Sequence, residues 1–410
     1  MTIATVELAG VQRRTIRVLV VGQILGGLGI GATLSIGSVL ATHVSGSEAF
    51  AGAAATLSTL GAAAAAIPLA RLAQRFGRRV SLSTGTLTAM AGAVITMVAA
   101  ALMAFPLLLL GFGLLGFGGA VGLQSRFAAT DVANPRHRGR DLSIVVWSAT
   151  IGSVIGPNLF GPGEVIARWF GMPELTGSFV IAVAAQLAAA LVYFLALRPD
   201  PYLTSQAHPV EPTMEPRTGT VRSRNLVIFA IAVLGISHAV MVSVMSMTPV
   251  HLVHHGASLT DVGLTLSLHI AGMFALSPVF GWLSDRLGRL PVILIGQVLF
   301  GLALGFVAVG ESSESLVTVG LVLLGLGWSA STVSASALVS DLATGAARPK
   351  IQGRSDLVMN AAGAIGGASA GPVLAMIGYA GLAGVVGVLV VASVIGVLVV
   401  AVQRTRLTAA

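Results

Sequence analysis

Residues 237–290 read SHAVMVSVMSMTPVHLVHHGASLTDVGLTLSLHIAGMFALSPVFGWLSDRLGRL. Two apolar runs here carry histidines and methionines where a membrane helix would carry hydrocarbon. A short basic turn, GWLSDRLGR from Gly281 to Arg289, follows at once. The stretch decides the fold if its two runs cross a bilayer, and composition says that they do. Of the 410 residues 55% are hydrophobic and only 9% charged, against about 25% charged in a soluble protein. So little charge cannot cover a globular surface, which leaves lipid to cover it.

A span needs about 20 apolar residues, and the pattern predicts twelve: 18–41, 49–70, 80–104, 107–129, 142–161, 175–197, 225–250, 260–282, 291–310, 316–339, 357–377 and 381–402. Basic residues orient them, since loops rich in Arg and Lys stay in the cytoplasm. With the N-terminus inside, 21 of the 23 Arg and Lys fall on the cytoplasmic side. They include Arg13, Arg14 and Arg17 ahead of span 1, Arg71 to Arg79 after span 2, and Arg348, Lys350 and Arg354 after span 10. Only Arg168 falls outside, and Arg126 lies within span 4. The outer loops hold acids instead: Glu48, Glu164, Glu174, Asp261, Glu311 and Glu314. Both termini are therefore expected in the cytoplasm, in a multi-pass protein of the cytoplasmic (inner) membrane. The +8 formal charge is not a nucleic-acid signature, because it is distributed over short loops between spans. The first run is too long for a secretory leader and lacks a small-residue cleavage site, so none is expected. With no cysteine, disulfides and thiolate metal sites are excluded.

The one long polar segment, 198–224, is rich in Pro, Ser and Thr and reads as a flexible cytoplasmic linker. It divides the chain into halves of six spans, 1–197 and 225–410, and the halves repeat. ARLAQRFGRR after span 2 matches GWLSDRLGRL after span 8. Asp131, Gly139-Arg140 and Gly156-Pro157 match Asp341, Gly353-Arg354 and Gly371-Pro372. Two parallel repeats fit a transporter whose halves rock about a site near the bilayer midplane. No ATP-binding motif and no catalytic constellation is present, so neither an ATP-driven pump nor an enzyme is expected.

Over essentially its full length the chain resembles the major facilitator superfamily, whose signature loop is G-x-x-x-D-R-x-G-R. The second copy is intact at Gly281, Asp285, Arg286, Gly288 and Arg289. The first keeps Arg75, Gly77, Arg78 and Arg79 but has Ala70 and Gln74 in place of the glycine and the acid. The resemblance implies an all-α integral membrane fold of twelve helices in two six-helix repeats, and a secondary transporter working by alternating access. It also implies that these loops, with Asp131 and Asp341, act as gate latches. Losing the acid at Gln74 puts the first latch in question. Span 5, with Gly152-x-x-x-Gly156-Pro157-Asn158 and Gly161-Pro162, looks like the glycine-proline motif of exporters in the family. The same residues also serve close helix packing and a kink, and the matching Gly367 and Gly371-Pro372 favour that simpler role.

Intramembrane ionisable groups mark function, because burying them is costly. All 15 acids are expected in loops or at span ends, which leaves His238 in span 7, His269 in span 8 and Arg126. His43 closes the outer end of span 1. Substrate or proton candidates are thus His269, His238, Asn158, Arg126, Trp147 and Gln23, with Gln124, Trp328 and Asn360 able to add polar and stacking contacts. Met241 and Met245 share one face of span 7, extended by His238, with Met247 near; His269 and Met273 share a face of span 8. Thioether with imidazole suits a soft ion such as Cu(I). The M-x-x-x-M and H-x-x-x-M pair resembles the copper-importing branch of the superfamily, which implies Met241, Met245, His269 and Met273 as ligands, with His251, His254 and His255 collecting metal outside. Methionine is equally a filler of apolar cores. Four functions therefore stand open: a proton-coupled transporter of a small solute, a copper importer, a drug or metabolite exporter and, in another class, a membrane sensor. No cofactor is expected; the partners are lipid, a small molecule or metal ion, and a proton, and the chain is expected to be monomeric.

Overall fold

A computed structural model describes residues 3–47, 50, 53–173, 175–207, 220–257, 259–310, 313–343 and 345–408. Glu48, Glu174, Glu311 and linker residues 208–219 lie outside them, as do the side chains of Asn158 and His254. The described residues are helical almost throughout: α1 (Ile3–Ser45), α2 (Ala53–Ala101), α3 (Phe105–Ala128), α4 (Arg138–Ile155), α5 (Phe160–Trp169), α6 (Gly177–Ala196), α7 (Pro201–Ala207), α8 (Thr220–His254), α9 (Leu259–Phe274), α10 (Ser277–Leu287), α11 (Arg289–Val309), α12 (Glu314–Leu342) and α13 (Arg348–Thr408).

Nine described segments are long and apolar enough to cross a membrane. Two of them, in α2 and α13, run for 49 and 59 residues, far more than one crossing needs, and kink at Gly77 (φ 85°) and Gly378 (φ 72°). A positive φ is easy only for glycine, so each glycine divides one continuous trace into two of the predicted spans. Span 5 is missing from the nine because it is broken. α4 stops at Ile155, a 3₁₀ turn covers Gly156–Leu159, and α5 resumes at Phe160. This is the kink expected of Gly156-Pro157. Just before it, Gly152 lies against Gly27 of α1, where a Cβ would come within 2.7 Å of the Gly27 backbone. The symmetric site does not behave alike. α13 stays helical through Pro372, and space around Gly371 is open.

The chain folds as two compact units. One gathers Met1–Ala133, Ile144–Glu211 and Gly345–Leu357; the other gathers Asn134–Ser143, Pro212–Thr344 and Val358–Ala410. Each unit thus takes a short loop segment from the opposite half of the sequence. In the first, α2 and α3 pack where Gly61, Gly92 and Gly116 leave no room for a Cβ against the neighbouring backbone. Its buried seams are rich in alanine, with Leu19, Leu69, Phe112 and Phe179 between. In the second, α12 is central and packs on α8, α9 and α11. Large apolar side chains point outward on many helices, among them Leu110, Val309, Ile365 and Met376. They are the surface a bilayer would cover.

The start of the linker is not a free coil. Pro201–Ala207 is helical and Tyr202 is only 2% exposed. The Asp200 carboxylate accepts from the backbone N–H groups of Tyr202 (3.0 Å) and Leu203 (3.2 Å), capping this short helix.

Candidate functional site

The two signature loops share one glycine turn, at Gly77 and Gly288. Gly288 (φ 94°, ψ 166°) ends α10 and releases Arg289 into the first turn of α11. Arg289 then donates to Asp341 (2.9 Å) and Asp285 (2.5 Å). Arg138 donates to the other oxygen of Asp341 at 3.0 Å. Asp285 also accepts from the backbone N–H groups of Gly139 (2.9 Å) and Arg140 (2.8 Å) at the start of α4. A carboxylate at a helix N-terminus satisfies unpaired N–H groups and opposes the helix dipole. Arg286 is exposed and lies over the Trp282 ring.

The first copy closes differently. Gly77 takes the same backbone shape (φ 85°, ψ 172°). Arg78 is buried and donates to both Asp131 oxygens, at 2.8 and 3.3 Å, and to Gln352. Arg348 reaches the same Asp131 at 3.5 Å and its carbonyl at 3.2 Å. Gln74, where the acid is missing, donates to the Ala346 carbonyl at 2.7 Å. Asp200 from the linker presses its carboxylate on the turn and accepts from the Arg79 N–H at 2.7 Å. The loop without its own acid is therefore held by Asp131 and by an acid borrowed from the linker. Arg75 is exposed and lies over Phe76.

Asp356 departs from its expected place at a span end, where no acid would be buried. α13 begins at Arg348, so Asp356 sits about two turns in. It is 1% exposed and pairs with Arg126 at 2.7 Å. Asp131 is likewise only 2% exposed. Hydropathy sets the start of span 11 at 357, one residue too late to count Asp356. Beside Arg126, Ser125 donates to Gln23 at 2.9 Å. Gln124 is buried and ties α3 to the Ala66 carbonyl of α2 at 3.2 Å. The predicted Arg126 and Gln23 are thus close neighbours along one end of α3.

In the other unit, His269 is fully buried. Its Nδ1 lies 2.7 Å from the Leu321 carbonyl of α12. A carbonyl can only accept, so Nδ1 carries the proton and Nε2 presents its lone pair. Among the described residues Nε2 has no hydrogen-bond partner. Trp328 donates from Nε1 to His238 Nδ1 at 3.1 Å, and Phe274 stands edge-on to Trp328 at 5.7 Å. Leu321, Gly325 and Trp328 follow one face of α12, and the His269 backbone lies against Gly325. His238 of α8, Phe274 of α9 and Trp328 of α12 thus form one cluster, and His269 meets α12 at Leu321 and Gly325.

Packing also redirects the methionines. The short loop between spans 7 and 8 predicts that their ligand faces meet. Among the described residues α9 instead runs along α12 and meets α8 at few positions. The imidazole of His269 accordingly serves Leu321 of α12, and Met241 and Met273 are buried side chains of the core. Toward the end of α8, His251 stacks on Tyr379 at 4.2 Å and lies 4.2 Å from the His255 ring. Tyr379 bonds Thr248 at 2.6 Å. Trp147 is 39% exposed and His43 is exposed, whereas Asn360 is buried.

An all-helical, multi-pass membrane protein with a doubled signature loop and buried ionisable groups is, as a class, a secondary transporter and not an enzyme. The family profile described as Major Facilitator Superfamily matches residues 19–258 and 241–409, and the chain belongs to that superfamily. It is 38% identical over 378 residues to the uncharacterized MFS-type transporter YdeG of Bacillus subtilis, covering 90% of this chain and 88% of that one. It is 29% identical over 349 residues to the riboflavin transporter RfnT of Brucella anthropi, covering 85% of each. Among solved structures it resembles the human organic anion transporter MFSD10, with a TM-score of 0.74 at 15% identity, covering 94% of this chain and 99% of that one. That likeness speaks for the fold alone.

Proposed function

We propose that this transporter carries a small organic solute with a planar, hydrogen-bonding ring system across the cytoplasmic membrane, driven by protons. The observation that carries the reading is His269: a fully buried imidazole whose Nε2 meets no protein donor among the described residues. A buried acceptor without a partner is costly. A solute N–H or O–H, or a proton, removes that cost. In the same unit, the His238, Trp328 and Phe274 cluster offers the ring contacts such a solute needs. Similarity to a riboflavin transporter supports the same class. Asp356, buried against Arg126, is a second group able to carry a proton. In this reading residues 1–197 and 225–410 move as two halves, and the signature loops latch them on the cytoplasmic side, where both termini lie. The copper reading depended on spans 7 and 8 facing each other, which the α9–α12 packing does not support.

Uptake of radiolabelled riboflavin by riboflavin-auxotrophic cells expressing this chain tests the proposal. Saturable accumulation is expected. His269→Ala should abolish it and Met245→Leu should leave it nearly intact. No uptake above empty-vector cells, together with cellular copper that rises on expression and falls in both variants, would overturn it.

A further inference from the structure

The first unit holds a second basic feature that the gate network does not use. A cavity of about 360 Å³ opens between α2 and the start of α13. Arg71 of α2 and Lys350 and Arg354 of α13 line it, with Gln74, Ile67 and Leu357. Lys350 and Arg354 are four residues apart and share one helix face. All three cations are exposed. Among the described residues none of them forms an ion pair, whereas Arg78, Arg126 and Arg348 of the same unit each have a carboxylate partner. Three like charges around one cavity repel each other unless an anion sits among them.

The walls say which anion. Ile67 and Leu357 are apolar. Up the same face of α2, Leu60 (49% exposed) and Ala64 continue as an exposed apolar stripe away from the basic mouth. An inorganic ion has no use for that stripe. A phospholipid has, with its headgroup at the mouth and an acyl chain along the helix. Basic pockets between helices at the cytoplasmic surface bind anionic headgroups.

We propose that Arg71, Lys350 and Arg354 form a binding site for the phosphate headgroup of an anionic phospholipid, with Gln74 at its rim and an acyl chain along Leu60, Ala64 and Ile67. The site depends on the proposed cytoplasmic placement of these loops, not on the identity of the solute. Its occupant bridges α2 and the 345–357 segment, so it should stabilise their packing.

The full-length purified protein tests this by thermal unfolding in zwitterionic phosphatidylcholine nanodiscs. They are compared with nanodiscs containing dioleoylphosphatidylglycerol and with added inorganic phosphate. Phosphatidylglycerol should raise Tm, and neither phosphatidylcholine alone nor phosphate should. The variant Arg71→Gln/Lys350→Gln/Arg354→Gln should keep its Tm in phosphatidylcholine and lose the increment. Native mass spectrometry should show one retained phosphatidylglycerol, its apparent affinity falling about fivefold for each cation removed. If the triple variant does not fold, Lys350→Gln should show the single fivefold step and Arg354→Lys none. Equal stabilisation by phosphate, or an increment that survives loss of the cations, would overturn the proposal. Neither result bears on riboflavin uptake, so the two readings can fail separately.

Discussion

Arg78 and Asp131 are buried together, with side chains 1% and 0% exposed. Such a pair need not stabilise relative to apolar residues, but breaking it strands a charge in the interior, at about 3–5 kcal/mol. Asp131→Ala should therefore lower thermal stability markedly, and Arg78→Leu/Asp131→Leu should recover most of the loss. A double variant as unstable as the single one would assign the loss to Arg348, which also reaches Asp131, or to the Arg78 bond to Gln352. Asp341→Ala leaves Arg289 its bond to Asp285 at 2.5 Å but takes the carboxylate from Arg138, whose side chain is 4% exposed, so it too should lower stability. These residues were legible in the sequence because they occur twice at the same spacing. Asp200, Gln352 and the Arg126–Asp356 pair were not. They act across 121, 274 and 230 residues with no repeat to announce them. Asp356 was further hidden because hydropathy reports apolar content and not where the first turn of a helix begins.

Among elements, the twelve apolar runs and the turn between α10 and α11 could be read directly, since length, charge and glycine position are local signals. What no local signal carries is which helix faces which. The methionines of α8 and α9 lie on the expected faces, yet α9 packs on α12 because Gly272 and Gly325 let those two helices close in. Repeats mislead in the same way: Gly156-Pro157 and Gly371-Pro372 read alike, but only the first breaks its helix, where the preceding turn is pinned against α1. The linker likewise reads as coil by composition, and its first turn folds because Asp200 satisfies N–H groups of both α7 and α2. Asp200→Ala removes all three bonds. It should expose residues 198–207 to limited proteolysis and cost about 1–2 kcal/mol. Cleavage as slow as in the wild type would mean that Tyr202 alone holds the segment.

For the whole molecule, membership of the major facilitator superfamily makes it a secondary transporter, and the proposed driving ion is the proton. Proton coupling then needs a group that is charged in one step and neutral in another, shielded from both solutions. Asp356 meets the requirement of shielding, and Arg126 supplies the charge that makes its ionised form tolerable at 2.7 Å. Asparagine mimics the protonated carboxyl and cannot release a proton. Asp356→Asn should therefore lose uphill accumulation of the solute while keeping solute exchange between preloaded vesicles and medium, since exchange moves no net proton. His269→Ala should lose both, because it removes the acceptor the solute needs. In wild-type vesicles a protonophore should collapse accumulation and leave exchange intact. Accumulation by Asp356→Asn at the wild-type level under an imposed proton gradient would remove Asp356 from the coupling step and leave His269 as the candidate carrier.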